Sequence, residues 1–239
     1  MAFTDRITAA DLPKMPTEYQ DLLRRVLTIQ ADAEIAGPNV YTERWLLHAP
    51  TADAMYRLAR IVAEEIDHYR KFAALLAPLG VDPRPLLHRP PAQRYLEAFR
   101  YPHPPTWADV AAFCALIDRV GRFQLEEFLN SSYLPFDEVL PPIMQEEVGH
   151  VYFGVQQLKE LCQSPEGRAA AQAAVTRWLP RGLDMFGRSD SRRDERFIYW
   201  GLKHRTNAQA REEYFAEVAG VLTELGLEVP DPLADRHYL

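Results

Sequence analysis

Apolar residues recur at three- and four-residue steps along most of this chain, and proline-marked breaks separate the stretches. We find no convincing run of strict apolar and polar alternation rich in β-branched residues, the pattern typical of strands. The periodicity predicts helices over residues 16–36, 39–48, 52–78, 92–100, 106–131, 136–163, 166–186, 195–203 and 206–226. The sequence therefore predicts an all-α protein.

Two proline-containing segments organise these helices. Gly37-Pro38 marks a predicted break after Glu34, and the segment VDPRPLLHRPP separates an earlier pair of helices from a later pair. The chain is thus predicted to form two helical hairpins joined by a crossover. We expect a single domain over residues 1–239, with a four-helix core over about 16–163 and additional helices over about 164–226.

Charged residues interrupt the buried stripe of two predicted helices. Glu65 and His68 stand at apolar positions of the helix over 52–78, and Glu147 and His150 do the same in the segment QEEVGH. Removing an ionised carboxylate from water costs several kcal/mol unless a cation or hydrogen-bond donors compensate it. The two Glu-x-x-His pairs therefore indicate a buried site that holds cations.

A carboxylate on a neighbouring helix should complete each pair. Residues at equal distance from the turn of an antiparallel hairpin lie at the same depth, and Glu34 mirrors Glu65 through Ala49-Pro50. Asp118 mirrors Glu147 through Ser132 and Tyr133.

Glu126 is the alternative to Asp118 in the second hairpin. Asp118 shares its helix face with apolar residues, whereas Glu126 aligns with Arg119, Arg122 and Asn130. Asp118 is therefore the predicted ligand, and Glu126 is kept as the reserve.

The resulting ligand set has four carboxylates and two imidazoles, which suits two divalent cations and leaves coordination positions open. Two Glu-x-x-His pairs with one carboxylate from each of two other helices form the ligand set of ferritin-like dimetal proteins. The predicted metal ligands and catalytic residues are Glu34, Glu65, His68, Asp118, Glu147 and His150. Nearby acids, including Glu64, Asp67, Glu127 and Glu146, are interpreted as solvated or salt-bridged.

Composition excludes several other functions. The net charge is -7 over 239 residues without a basic block, so a nucleic-acid partner is not expected. No run of eighteen apolar residues and no apolar leader segment is present, which favours a soluble, cytoplasmic protein without a membrane partner. Cys114 and Cys162 are too few for an iron–sulfur cluster, and no dinucleotide fingerprint occurs, so electrons must come from another protein.

A family resemblance extends over residues 16–235. The segments AEIAGPNV, AEEIDH, YPHPPTWAD, LIDRVGRF, SSY, QEEVGH, DMFGRSD, LKHRTN and LGLEVPDP follow the order and spacing of the catalytic subunits of bacterial phenylacetyl-CoA 1,2-epoxidase. The resemblance implies a ferritin-like fold and a centre of two iron ions that uses dioxygen to epoxidise the aromatic ring of a coenzyme A thioester. It also implies thioester contacts at Arg25, Arg94, Tyr95, Lys203 and Asn207.

The resemblance further implies partners, namely a flavin and iron–sulfur reductase that uses NADPH and a ferritin-like partner subunit in an oligomer. A catalytically silent scaffold subunit is a second hypothesis, but such a chain is expected to have lost ligands, and all six are present. A ferroxidase or iron-storage protein is the third. The proline-rich crossover and the long region after residue 164 argue against a small storage bundle.

Overall fold

Helices account for nearly all the regular structure in the computed structural model, which describes residues 3–100 and 104–238. The first three residues of YPHPPTWAD, which include His103, lie outside these described residues. No strand occurs within them, and one isolated bridge joins Ile7 to Tyr133. The α-helices are α1 (Thr17–Val40), α2 (Ala52–Leu76), α3 (Trp107–Phe113), α4 (Arg119–Glu127), α5 (Leu134–Leu161), α6 (Pro165–Met185), α7 (Arg192–Tyr199) and α8 (Asn207–Glu224). The predicted all-α class is confirmed.

Four helical rods form the central bundle. α1 packs along α2, α5 packs along the rod made by α3 and α4, and α2 contacts α5. α6 lies against α3, and α8 lies against α4. This is the ferritin-like arrangement with further helices on one side. None of the helices in the two described ranges combines the length and apolar character needed to cross a bilayer.

The predicted break after Glu34 is wrong, because α1 continues through Gly37 and Pro38 to Val40. A proline inside a helix costs about 3 kcal/mol through its missing N–H and its ring. Ile35, Ala36, Gly37 and Pro38 are all buried in the bundle, and this burial outweighs the local penalty.

The predicted helix over 92–100 is also wrong. The segment contains two short 3₁₀ turns, Pro91–Gln93 and Glu97–Phe99. Between them Arg94 is buried and pairs with Asp32 of α1 at 2.9 Å, and the Tyr95 backbone N–H donates to the same carboxylate at 2.9 Å. These contacts with Asp32 hold the segment in place at Arg94, where the backbone is extended, so that it does not form a continuous helix.

Two π-helical turns flank the centre of the bundle. Tyr41–Trp45 follows α1 directly, and Cys114–Asp118 joins α3 to α4, within the helix predicted over 106–131. α4 ends at Glu127, earlier than predicted. Single π turns inside helices occur frequently at functional sites. Hydrophobic periodicity does not reveal them, because they shift the helix face by only one residue.

The core consists of two hydrophobic clusters, stacked along the bundle. On α2, Leu58 and Ile61 belong to one cluster and Phe72 to the other. On α5, Phe153 belongs to the first cluster and Ile143 to the second. The charged residues that interrupt the two apolar stripes therefore lie at the boundary between the clusters.

Gly154 of α5 allows this helix to approach the π turn Cys114–Asp118 very closely. A Cβ at residue 154 would overlap backbone atoms of Cys114 and Ala115. Backbone cannot move aside as a flexible side chain can, so the contact requires glycine. Gly154 lies one turn beyond His150 on α5 and so fixes how close the two rods come at the charged site.

We predict that Gly154→Ala lowers the free energy of unfolding by about 1–3 kcal/mol, because the added methyl group must push two backbones apart. Urea denaturation followed by circular dichroism measures the change. Gly220→Ala is the matched control, since a Cβ at this position of α8 meets nothing within 4 Å. The control should be neutral or gain up to about 1 kcal/mol from helix propensity. Equal stability of the two variants would contradict the close-approach interpretation.

Candidate metal centre

All six side chains that the sequence analysis selected come together in the middle of the bundle. Each is buried, and the two imidazoles have no exposed surface. Their ligand atoms fall into two groups, and within each group these atoms lie within 4.8 Å of one another. The first group contains Glu34, Glu65, His68 and Glu147, and the second contains Glu65, Asp118 and His150. Glu65 belongs to both groups.

The two imidazoles point the same ring nitrogen into the cluster. Nδ1 of His68 lies 3.2 Å from Glu34 Oε2 and 3.3 Å from Glu147 Oε1. Nδ1 of His150 lies 3.2 Å from Glu65 Oε1 and 3.5 Å from Glu147 Oε1. The ring centroids are 6.0 Å apart. Glu147 therefore lies between the two histidines.

The outer nitrogen of each imidazole contacts a carboxylate of the other helix. Nε2 of His68 on α2 lies 2.7 Å from Glu146 of α5, and Nε2 of His150 on α5 lies 2.9 Å from Glu64 of α2. Such contacts fix the ring orientation and the protonated nitrogen of a metal-binding histidine. From the sequence both acids are interpreted as solvated or salt-bridged, and Glu64 does also pair with Arg60 at 3.1 Å. The missed signal is the doubled glutamate in both segments, Glu-Glu-x-x-His.

Asp118 enters the cluster from the π turn, and a tyrosine that the sequence analysis did not select holds it. The Tyr41 hydroxyl lies 2.9 and 3.0 Å from the two carboxylate oxygens of Asp118 and 3.5 Å from the Cys114 sulfur. Glu126 instead pairs with Arg122 at 2.9 Å and belongs to neither group. Asp118 therefore lies within the buried cluster and Glu126 outside it, and the role of Asp118 as a metal ligand stays a prediction.

Burial and mutual repulsion make these carboxylates hard to ionise. Burial first, and then the charge of Glu147, raise the pKa of Glu65 to about 8. Burial and the neighbouring Glu65 raise the pKa of Asp118 well above its usual range, and burial raises that of Glu34. Like charges in a dry interior disfavour each other's ionised form.

The pKa values of the two imidazoles are also raised, but for a histidine this favours the charged form. Burial lowers the pKa of His68, but hydrogen bonds to Glu147 and Glu34 outweigh it and raise the pKa to about 11. The carboxylates raise the pKa of His150 in the same way. Contacts with both histidines overcome burial and hold the pKa of Glu147 at about 2. Protons on the imidazoles thus take the place that cations would fill, and metal binding would displace them.

A separate observation, on one nitrogen atom of His150, also indicates that the cluster can bind metal ions. Nδ1 of His150 is fully buried and lacks a partner of hydrogen-bond geometry within the described residues, although Glu65 is near. A buried polar atom without a hydrogen bond is costly, and a metal ion would satisfy it. Four carboxylates and two histidines match divalent iron, manganese or zinc better than an alkali ion.

A cavity of about 340 Å³ is lined by residues of α1, α4, the end of α6 and the crossover, and none of the six cluster residues is part of this lining. Four of the five residues predicted to contact a thioester line it, namely Arg25, Tyr95, Lys203 and Asn207. Gln30 belongs to the same lining and lies one helical turn, about 6 Å along the axis of α1, before the cluster residue Glu34.

Arg94 does not line this cavity. Its guanidinium donates to Asp32 and to the Leu86 carbonyl oxygen at 3.0 Å, with 3% of the residue exposed. Its described contacts therefore hold the crossover against α1.

Lys203 is already engaged at the cavity wall. Its ammonium group pairs with Asp194 and with Glu127 at 3.2 Å, and it donates to the Asn207 side-chain oxygen at 2.7 Å. Two buried carboxylates around one cation leave an excess negative charge. Burial is the larger effect at Glu127 and raises its pKa to about 7 in spite of the nearby Lys203 charge.

Arg25 and Arg193 line the cavity, and no carboxylate of the described residues neutralises their positive charge. Among the ion pairs of residues 3–100 and 104–238 neither guanidinium has a carboxylate partner, whereas Arg188, the third arginine of the lining, pairs with Asp190 at 3.5 Å. Burial and the charge of Arg193 lower the pKa of Arg25. Two mutually repelling guanidinium groups would be stabilised by an anion that bridges them.

The helical arrangement and the buried cluster define a ferritin-like protein with a carboxylate and histidine site capable of holding metal ions. Residues 6–237 match the family described as phenylacetic acid catabolic protein, and the chain belongs to that family.

Two curated relatives are similar to this chain. The A component of 1,2-phenylacetyl-CoA epoxidase from Escherichia coli (strain K12) is 27% identical over 229 residues, which cover 94% of this chain and 73% of the relative. Component B of benzoyl-CoA oxygenase from Aromatoleum evansii is 31% identical over 160 residues, which cover 63% of this chain and 33% of the relative. The resemblance stated from the sequence is confirmed.

We predict that Asp118→Ala binds one fewer metal ion per chain than the wild type, because it removes a carboxylate from the second group. Glu126→Ala is the matched control and should keep the full metal content, since its carboxylate pairs with Arg122. Anaerobic iron loading followed by elemental analysis measures both. A full metal content in Asp118→Ala together with a reduced one in Glu126→Ala would overturn the assignment.

A second prediction concerns pH. The folded pKa of Glu127, about 7, exceeds its ordinary value of 4.5, so the proton it binds stabilises the folded protein below pH 4.5 and this stabilisation is lost as pH rises through 7. The Glu127→Gln side chain cannot ionise. The free energy of unfolding of this variant, relative to that of the wild type, should therefore rise by about 3 kcal/mol as the pH is raised from 4.5 to 7. Urea titrations at several pH values measure it, with exposed Glu224→Gln as control. A pH-independent difference would refute the prediction.

Proposed function

We propose that this chain is the oxygenase subunit of a multi-component enzyme that acts on an aromatic acyl-CoA, with two iron ions in the buried cluster. The observation that carries the proposal is the buried set of four carboxylates and two imidazoles, together with a cavity that begins one helical turn from Glu34 at Gln30 and holds the guanidinium groups of Arg25 and Arg193. Both relatives have names that describe oxygenation of an aromatic coenzyme A thioester, and both are parts of larger assemblies.

The cluster would hold the two ions with one group of ligands each. Glu34, His68 and Glu147 belong to one group, Asp118 and His150 belong to the other, and Glu65 belongs to both and could contribute a ligand atom to either ion. When bound, the irons would supply the activation of dioxygen, which amino-acid side chains cannot perform.

The protein orients the ligand side chains and shields them from solvent. Glu146 and Glu64 hold the outer nitrogens of His68 and His150, so that Nδ1 of each ring faces the cluster. The phenol of Tyr41 donates to Asp118 and limits the positions that this carboxylate can adopt. Full burial of both imidazoles keeps the rings out of contact with bulk water. A dry site protects a reactive oxidant from side reactions.

The cavity would bind the thioester. Coenzyme A carries phosphates, and guanidinium groups pair with phosphate through charge-assisted hydrogen bonds. Arg25 and Arg193 are suited to this contact, whereas Lys203 and Asn207 hold the wall in place. The position of Gln30 one turn from Glu34 supports a path from the cavity toward the cluster.

Electrons and a further subunit would come from other proteins. Monooxygenation places one oxygen atom in the substrate and releases the other as water, which consumes two external electrons. Cys114 and Cys162 are both buried, and two cysteines cannot build an iron–sulfur cluster. We therefore propose a flavin and iron–sulfur reductase that draws on NADPH, and a ferritin-like partner subunit in a cytoplasmic oligomer. The chain itself would act as one ferritin-like domain.

We expect negligible product when the iron-loaded chain alone is supplied with NADPH, dioxygen and phenylacetyl-CoA or benzoyl-CoA. Multiple turnovers should follow once the reductase and the ferritin-like partner are added, with a product heavier by one oxygen atom in mass spectrometry. The Glu65→Ala chain in the same mixture should give no product, because the residue shared by the two ligand groups is lost.

Two outcomes would contradict the proposal. Sustained NADPH-dependent turnover by the isolated chain would point to an electron path within it. Full metal content with no product from either thioester in the complete mixture would exclude the oxygenase activity.

A further inference from the structure

Residues Asp231–Tyr238, the C-terminal strap, cross the surface between two cavities. Tyr238 lines the 340 Å³ cavity that also contains Arg25 and Gln30 of α1. Pro232, Leu233 and Arg236 line a second cavity of about 280 Å³ on the other side. Leu233 is 69% exposed, so burial of this apolar side chain does not hold the strap in place.

One buried carboxylate holds the end of the strap. Asp184, in the last turn of α6, accepts hydrogen bonds from Nε of Arg236 at 2.7 Å, from the His237 backbone N–H at 2.8 Å and from the Tyr238 backbone N–H at 3.0 Å. Both charged side chains are nearly fully buried. Arg236 also donates back to the Pro232 and Tyr238 carbonyl oxygens. The Asp184 and Arg236 pair is therefore a latch on which the path of the strap depends.

The side chain of Tyr238 is fixed at its far end as well. Its hydroxyl donates to Glu97 Oε1 at 3.3 Å, and Glu97 is in turn held by Arg100 at 2.7 Å. The crossover and α6 thus place this ring from two directions. A ring fixed at both backbone and hydroxyl forms a rigid part of the cavity wall.

The surroundings of Tyr238 differ from the cationic part of the cavity. Tyr238 forms hydrogen bonds with two carboxylates of the lining, Asp184 and Glu97. Apolar lining residues are adjacent to both in sequence: Leu96 precedes Glu97, and Met185 and Phe186 follow Asp184. Arg25 and Arg193 supply the positive charge elsewhere in the lining. An anionic and aromatic ligand would place its phosphates at the cations and its apolar end near Tyr238.

We infer that Tyr238 is a specificity-determining residue, and that the latch of Asp184 and Arg236 positions it so that it limits the acyl group the cavity accepts. This inference rests on the proposed function, because it takes the ligand to be an acyl-CoA. The physical basis is size: an aromatic ring locked in the cavity wall between the carboxylates Asp184 and Glu97, which disfavour a phosphate there, excludes uncharged groups that would need its space, and removing the ring leaves room for them.

The latch is tested without any ligand. Amide hydrogen exchange of the strap, measured by mass spectrometry, should be about tenfold faster in Asp184→Asn and in Arg236→Ala than in the wild type, since charge-assisted hydrogen bonds are lost. Metal content should stay unchanged, because neither residue belongs to the cluster. Exchange at wild-type rates in both variants would overturn the latch.

Specificity is tested with acetyl-CoA, benzoyl-CoA, phenylacetyl-CoA and 4-phenylbutyryl-CoA, whose dissociation constants for the metal-loaded chain are measured by calorimetry. Tyr238→Ala should shift the preference toward the largest acyl group by about tenfold, and Asp184→Asn should shift it in the same direction. Tyr238→Phe keeps the ring and should remain closer to wild type. Tyr199→Ala, an exposed tyrosine that is not among the cavity residues, is the control.

The outcomes separate the two proposals. Binding by the wild type with the same preference in Tyr238→Ala would refute the role of Tyr238 and leave the thioester cavity standing. Failure of the wild type to bind any of the four thioesters would refute the thioester cavity and, with it, the role of Tyr238 in selecting acyl groups. The exchange experiment would then bear on the latch alone.

Discussion

Four carboxylates packed together in a dry interior are the constraint around which this bundle is organised. Each one costs several kcal/mol to bury as an ion, and their mutual repulsion raises the pKa of Glu65 and Asp118. The two imidazoles offset part of that charge, and two divalent cations would offset all of it. The hydrophobic clusters on either side keep the charges close together and away from water.

The neighbouring structure keeps this arrangement in place. The histidine of each Glu-Glu-x-x-His segment contacts the first glutamate of the other segment, so neither helix can rotate or slide without losing an ion pair. Gly154 lets α5 reach the π turn that carries Asp118, and Tyr41 from the other π turn holds that carboxylate. Packing and electrostatics therefore fix the same geometry.

The cavity is built from parts of the chain that are far apart in sequence. Asp32 of α1 holds the crossover through Arg94, and Asp184 of α6 holds the C-terminal strap. Both tethers are buried ion pairs, and removing one partner of such a pair leaves an uncompensated charge. A ligand site formed by tethered segments can change its specificity without disturbing the metal ligands.

The sequence by itself determined the all-α class and the six cluster residues, because charged side chains within apolar helix stripes and mirrored spacing are local patterns. Only the tertiary structure decided that α1 continues through Pro38, that residues 92–100 form turns, and that Asp118 lies in a π turn. These depend on burial and on partners distant in sequence. The crossed contacts of Glu64 and Glu146 and the latch on Asp184 join residues of separate helices and segments, so no periodicity within one segment could reveal them.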